Sequence, residues 1–256
     1  MLPPNPIICR LIVDPPAPGM WNMAVDEALF EQAAKFGTPT LRFYQWSEPT
    51  LSLGYFQNYG DRRSHAASLE TAAVRRTTGG GAILHDHELT YSLVWPAGQA
   101  IRAGRRPDFT WLYNRVHTAM QQVLTGYNIG SELFRSASPP RPVGEPFLCF
   151  QRRSTGDLLI GEEKILGSAQ RRRRETVLQH GSLVLSTSEQ APEIQGILQL
   201  VGGGISTDRL ADDWSGRLQT DLVLELESGV LNDGENRRAE EIARSKFGQS
   251  AWTKRR

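Results

Sequence analysis

The chain has 256 residues, enough to bury a substantial core, with 39% hydrophobic and 22% charged residues, an ordinary globular balance that argues against disorder. A net charge of +1 lacks the basic excess of a general nucleic-acid binder. No apolar run approaches the roughly 20 residues that span a bilayer, and the proline-broken start "MLPPNPIICRLIVDPPAPG" does not read as a secretory signal. A cytoplasmic protein is therefore expected, with Cys9 and Cys149 as free thiols.

In chain order, "IICRLIV" is a short strand candidate, and "MWNMAVDEALFEQAAKFG" reads as a helix closed by Gly37. "TLRFYQW" and "TLSLGYF" are strand-like and separated by the turn "SEPT". "RRSHAASLETA" is expected to be helical. "AVRRTT" reads as a strand entering the bend Gly79-Gly80-Gly81, and "LTYSLVW" as the strand leaving it. "DFTWLYNRVHTAMQQVLTGY" repeats apolar residues at helical spacing. After the proline-rich "RSASPPRPVGEP" comes a hairpin, "DLLIGEEKILGS", turning near Gly161 and Glu162, and then a strand, "VLQHGSLVLS". From about Glu189 onward the pattern is helical and increasingly polar. Strands and helices mix without regular βαβ alternation, so the expected class is α+β. The expected organisation is one domain with a mixed or antiparallel sheet flanked by helices. Its core covers about 20–200, and a helical extension covers about 201–256.

Several residues carry chemistry. Three glycines in a row permit positive φ and let backbone amides approach a ligand oxygen, although a tight turn alone would also use them. The pattern is neither a P-loop nor a dinucleotide fingerprint. A second triplet, Gly202 to Gly204, reads as a turn. His85 and His87 are expected on one face of a strand, yet no third ligand is evident, so no metal is expected. Cys9 reads as a core residue. Cys149 in "FLCF" reads the same way in isolation, but Arg152, Arg153 and the hairpin residue Lys164 are cations that would favour its thiolate. Only four of the basic residues are lysines, against 25 arginines. Lys35, Lys246 and Lys254 read as solvated, whereas Lys164 is either an exposed hairpin lysine or an ammonium that holds a carbonyl or an oxyanion. The run Arg171 to Arg174 is a solvated face or a dock for an acidic partner.

The motifs "NMAVDEALFE", "LRFYQWSEPTLSLGYFQ", "RRTTGGGAILHDHELTYSL", "GDLLIGEEKILGSAQRR" and "LQHGSLVL" resemble, in order and spacing, the lipoate–octanoate branch of the biotin/lipoate protein-ligase superfamily. The likeness runs from about Trp21 to Leu185 and fades beyond Leu200. The cysteine just before the lysine hairpin is similar to the octanoyltransferases of the LipM type. That resemblance implies Cys149 as an acyl-thioester nucleophile and Lys164 as its partner. It implies Arg76, Gly79, Gly80, Gly81 and His85 as pocket residues, with Gly167, Ser168 and Ala169 opposite. It further implies octanoyl-loaded acyl carrier protein as donor. The acceptor would be a lipoyl-domain protein, such as the glycine cleavage H protein or a 2-oxoacid dehydrogenase E2. No cofactor, nucleic acid or membrane is expected. Burying about six methylenes of the octanoyl chain would contribute roughly 5 kcal/mol. Three other readings stay open. One is an ATP-dependent lipoate or octanoate ligase, which would need ATP and Mg; the absence of a further C-terminal domain weighs against it. The others are an amidotransferase between lipoyl-type proteins and a non-catalytic binding module. In the basic runs "QRRS" and Arg171–Arg174 the chain departs from the family pattern, which bears on partner choice more than on chemistry.

Overall fold

The computed structural model describes residues 5–96, 109–135, 146–173 and 176–256. Eleven strands and six helices are labelled here in chain order. They are β1 (Ile7–Val13), α1 (Gly19–Phe36), β2 (Thr40–Tyr44), β3 (Thr50–Leu53), β4 (Ala72–Arg75), β5 (Ile83–His85) and β6 (Glu88–Pro96). Then come α2 (Thr110–Gly126), β7 (Glu132–Leu133), β8 (Leu158–Ile160), β9 (Glu163–Arg173) and β10 (Thr176–Val184). The last elements are α3 (Ile197–Val201), α4 (Thr207–Leu222), β11 (Leu224–Ser228), α5 (Asp233–Ile242) and α6 (Ser250–Thr253).

Eight strands form one mixed sheet in the order β11-β1-β2-β6-β10-β9-β8-β7, and β4-β3-β5 form a small second sheet. The pairs β11/β1 and β1/β2 are parallel, and the rest of the large sheet is antiparallel. The expected α+β class with a mixed sheet and flanking helices is what the chain adopts. Every residue of β6 and β10 is buried because helices cover both faces. On one face Phe43, Tyr91, Leu93 and Trp95 pack with Leu112 and Met120 of α2 and Trp214 of α4. On the other, Val94 and Leu178 pack with Val25, Leu29 and Phe30 of α1 and Ile242 of α5. Cys9 lies in the first core, where burial pushes its thiol up to about 12, so it is inert as expected.

α1 ends as expected, with Gly37 in the left-handed region at φ 73° and its amide donating to Ala33 O. Three local expectations are corrected. The segment "RRSHAASLETA" is not an α-helix but two short 3-10 turns, Tyr59–Ser64 and Ala66–Ser68. Arg62 Nη2 donates to the carbonyls of Ser68 and Leu69 at 3.0 and 2.6 Å, which holds that backbone out of helical pairing. The C-terminal stretch is not all helical, because β11 joins the large sheet beside β1. Its sequence "LELES" is rich in helix formers and lies at the sheet edge with glutamates outward, which conceals the strand. The junction is a single residue, Val223, at φ 55°. Lys246 is not solvated: its Nζ donates to Glu27 of α1 at 2.7 Å.

Candidate active site

The glycine bend between β4 and β5 is built by close packing. A Cβ on Gly54 would lie 2.0 Å from Gly80 O, so the two backbones touch only because Gly54 has no side chain. Gly80 sits at φ 93°. Arg76 staples the bend from beneath: its Nη2 donates to Gly79 O and Gly81 O, both at 2.7 Å, and its Nη1 donates to Ser52 O at 2.9 Å. Among the described residues no carboxylate pairs with this buried guanidinium, and its Nε has no partner. Burial lowers its pKa to about 10, opposed by the neighbouring Cys149.

The bend also positions the cysteine. Ala82 N donates to Phe147 O at 3.2 Å, and Cys149 N donates to Ala82 O at 2.7 Å. This bridge starts the 3-10 turn Cys149–Gln151 against the bend, and places Sγ 4.0 Å from where a Gly80 Cβ would sit.

The second arm is the β8–β9 hairpin, which turns at Gly161, φ 57°, as the sequence predicts. It carries Lys164 inward, with Nζ 4.0 Å from Cys149 Sγ and 2.8 Å from Asp157 Oδ2. Asp157 is fixed in turn by the Tyr113 hydroxyl at 2.8 Å and the Ser154 amide at 2.7 Å. Gly167 lets the lysine pass, since a Cβ there would meet Lys164 Cε at 2.3 Å.

These arms border a pocket with about 490 Å³ of empty space, its open mouth included. Met23, Tyr44, Trp46, Ile83 and Phe150 supply apolar wall. His85 stacks on Trp46 at 3.9 Å. Its Nδ1–H donates to Glu88 Oε1 at 2.7 Å, and its Nε2 accepts from Ser52 Oγ at 2.7 Å. With both nitrogens engaged, and burial lowering its pKa against the pull of Glu88, the ring is a neutral wall of the cavity. His180 bridges Thr78 of the bend (2.7 Å) to Asp26 of α1 (3.1 Å). Ser168 Oγ is held by Tyr91 Oη at 2.7 Å and His117 Nε2 at 2.6 Å.

Of the residues singled out from sequence, the fold gathers Cys149, Lys164, Arg76, Gly80, His85, Gly167, Ser168 and Ala169 around this one cavity. Gly79 and Gly81 belong to the same bend but are not among the residues lining the pocket; a Cβ on Gly79 would face Phe56, and one on Gly81 would face Arg152. His87 does not share a strand face with His85; it lies in the turn between β5 and β6 with its side chain 60% exposed. Among the described residues no cluster of three or more His, Cys, Asp or Glu is placed to hold a metal ion. Among the same residues no helix is long and apolar enough to cross a membrane. In the basic runs three arginines stand near carboxylates, two of which, Glu27 and Glu31, are also bound by Lys246 and Arg238. Arg153 pairs with Glu162 at 2.7 Å, and Arg171 and Arg173 face Glu27 and Glu31 of α1 at 3.8 and 4.0 Å. Arg174 lies outside the described residues. Trp46, Thr90, His180 and Ser182 were not picked out from the sequence, although the alternation in "LQHGSLVL" puts His180 and Ser182 on one strand face.

The mixed sheet with its flanking helices is the fold of solved lipoate–protein ligases. The chain covers 97% of its length and 99% of the other in superposing on lipoate-protein ligase A bound with ATP, with TM-score 0.78 and 20% identity. It superposes likewise on the bipartite lipoate protein ligase of Thermoplasma acidophilum, with TM-score 0.75, 20% identity, and 97% and 96% of the two chains covered. Residues 18–199 match the lipoyl protein ligase A/B catalytic domain, and the chain belongs to that family. It is 32% identical to octanoyltransferase LipM of Moorella thermoacetica over 92% of this chain and 93% of that protein. To octanoyltransferase LipM of Bacillus subtilis it is 28% identical, over 92% and 94%.

Proposed function

We propose that this chain is a cytoplasmic octanoyltransferase that works through a thioester on Cys149 and needs no cofactor. The observation that carries the reading is the 4.0 Å approach of Lys164 Nζ to Cys149 Sγ inside the cavity, in a chain similar to LipM octanoyltransferases along nearly its whole length. In the first step the Cys149 thiolate attacks the carbonyl carbon of an octanoyl thioester on acyl carrier protein. The carrier thiolate leaves and takes up the proton that Cys149 gave up. In the second step the amine of an acceptor lysine attacks the Cys149 thioester, forming the amide and returning the thiol. Splitting one transfer into two exchanges is the gain of covalent catalysis.

Lys164 and Arg76 supply the positive field that the thiolate and the tetrahedral oxyanion require. Asp157 takes one of the ammonium's donors and leaves others to face the sulfur. The apolar wall from Trp46 to Phe150 receives the octanoyl tail. A lipoyl domain is the acceptor this reading favours; the Thermoplasma ligase is described together with its E2 lipoyl domain as one lipoylation system. The glycine cleavage H protein would serve the same role.

The test is intact mass spectrometry after mixing the protein with octanoyl-loaded acyl carrier protein, without ATP. One added octanoyl group, released by hydroxylamine and absent from Cys149→Ser, is the expected result. Acceptor modification only when ATP and free acid are supplied, unchanged in Cys149→Ser, would replace the reading with that of a ligase.

A further inference from the structure

A second group of cations, Lys254, Arg255 and Arg256, lies apart from the arginine runs. Residues 242–256 and 49–60 contain no Asp or Glu, and the fold brings these two acid-free stretches together. Trp252 Nε1 donates to Arg75 O at 2.8 Å, and Arg75 Nε donates back to Thr253 O at 3.0 Å. Tyr59 N donates to Arg256 O at 2.7 Å. Onto this frame the segment Lys254–Arg256 lays its side chains over the loop after β3. Arg255 Cζ stands 4.4 Å above the Tyr55 ring, and its Nη2 donates to the Tyr55 hydroxyl at 3.0 Å. Arg256 Cζ lies 5.5 Å from the Phe56 ring, and Lys254 Nζ 5.5 Å from the Tyr59 ring. Among the described residues none of the three cations has a carboxylate at ion-pair distance, in contrast to Arg153, Arg171 and Arg173. Phe56 is 68% exposed beside them, an apolar ring inside a cationic rim.

The patch adjoins the mouth of the cavity. The Phe56 ring lies 3.8 Å from the Cβ position of Gly79, and the next residue, Gly80, faces Cys149 Sγ. We propose that Phe56 with Lys254, Arg255 and Arg256 forms the docking surface for the acyl donor, an acidic protein that delivers its acyl group on a long arm. The charge selects an acidic surface, and the exposed ring supplies the apolar contact at its centre. A partner seated on Phe56 is separated from the sulfur by the width of the glycine bend, so its reactive group must reach in on an extended arm past Gly79 and Gly80. This rests on the acyl-exchange reading above.

The test compares two donors for loading of Cys149: octanoyl-loaded acyl carrier protein and the small thioester octanoyl-pantetheine. The variant Lys254→Glu/Arg255→Glu/Arg256→Glu is expected to lose tenfold or more in kcat/KM with the protein donor, through KM. With the small donor it should stay within twofold. Raising salt should slow the wild type with the protein donor and leave the variant nearly flat. Phe56→Ser, which touches no charge, is expected to lose at least threefold with the protein donor alone. It keeps the test sound should the triple variant melt early. Equal losses with both donors, no loss with either, or a loss confined to transfer onto the lipoyl acceptor would each overturn the docking role. Absence of any adduct from either donor in the wild type would instead remove the underlying acyl-exchange reading.

Discussion

Lys164 reaches Cys149 as one half of a buried ion pair: its Nζ lies 2.8 Å from Asp157 Oδ2, and both side chains are almost wholly out of water. The carboxylate is itself fixed by Tyr113 and Ser154, so the ammonium has one defined position rather than the sweep of a free lysine. Breaking one half of such a pair leaves a buried charge alone. Asp157→Ala is therefore expected to lose roughly 3–5 kcal/mol in urea unfolding. The double variant Asp157→Leu/Lys164→Met should recover most of that stability while remaining inactive. Activity and stability would then separate, because the pair costs desolvation but places the cation. If Asp157→Ala unfolded at the wild-type midpoint, the ammonium would have another partner.

His117 makes stability acid-sensitive. Burial drives its pKa down to about 4, against the opposing pull of Asp157, from an ordinary value near 6.5. Its Nδ1–H donates to Gly156 O at 2.7 Å, and its Nε2 accepts from Ser168, so the neutral ring is the one the fold uses. Because the folded pKa is depressed, the unfolded chain takes up a proton first as pH falls. The contribution of this group is whole above about pH 6.5 and is lost progressively down to about pH 4, by about 3 kcal/mol in all. His85, also depressed by burial, acts in the same direction. Urea midpoints measured from pH 7.5 to 4.5 should fall less steeply in His117→Gln than in the wild type. Parallel curves would place His117 outside this linkage.

The legible parts of the sequence were those fixed by local pattern. The Gly161 hairpin, the Gly37 helix end and the three-glycine bend each rest on a few adjacent residues whose backbone preference is intrinsic, and hairpin and bend carry Lys164 and Gly80 to the pocket. Tertiary facts were hidden. Asp157, seven residues before Lys164, gives no sign that it neutralises that lysine, because the β8–β9 register decides which carboxylate it meets. His117 lies within the apolar face of α2 and reads as core until Ser168 is seen opposite. That Arg171 and Arg173 come near Glu27 and Glu31 of α1 is likewise not written in the arginine run. β11 was masked by residues that favour helix.

Ser168 sits in a chain of donors with one direction. Gln179 Nε2 donates to Tyr91 Oη at 2.6 Å, Tyr91 donates to Ser168, and Ser168 donates to His117. Ser168→Ala removes the central link and leaves the His117 ring nitrogen and the Tyr91 proton buried without partners. A loss of about 1–3 kcal/mol is expected by denaturant unfolding. Ser168→Cys, close in shape, should lose less. Ser168→Ala at full wild-type stability would mean that water replaces the hydroxyl.

The glycine bend shapes the cavity. At Gly54 a methyl group would stand 2.0 Å from the carbonyl oxygen of Gly80, a backbone atom with no rotamer to escape into. Gly54→Ala must therefore push the bend, and Gly80 carries its face toward Cys149 with it. Overpacking of this kind costs about 1–3 kcal/mol, and loading of Cys149 with octanoyl should slow at least tenfold. Gly80→Ala should do the same by two routes: its φ of 93° is strained for alanine, and the methyl would meet Arg76 Nη2 at 2.9 Å. Gly60 and Gly203 are the controls, since a methyl there meets nothing within 4 Å. Their alanine variants should stay within about 0.5 kcal/mol and at wild-type rate. Similar rates for Gly54→Ala and Gly203→Ala would show that the bend yields freely and does not set the position of the thiol.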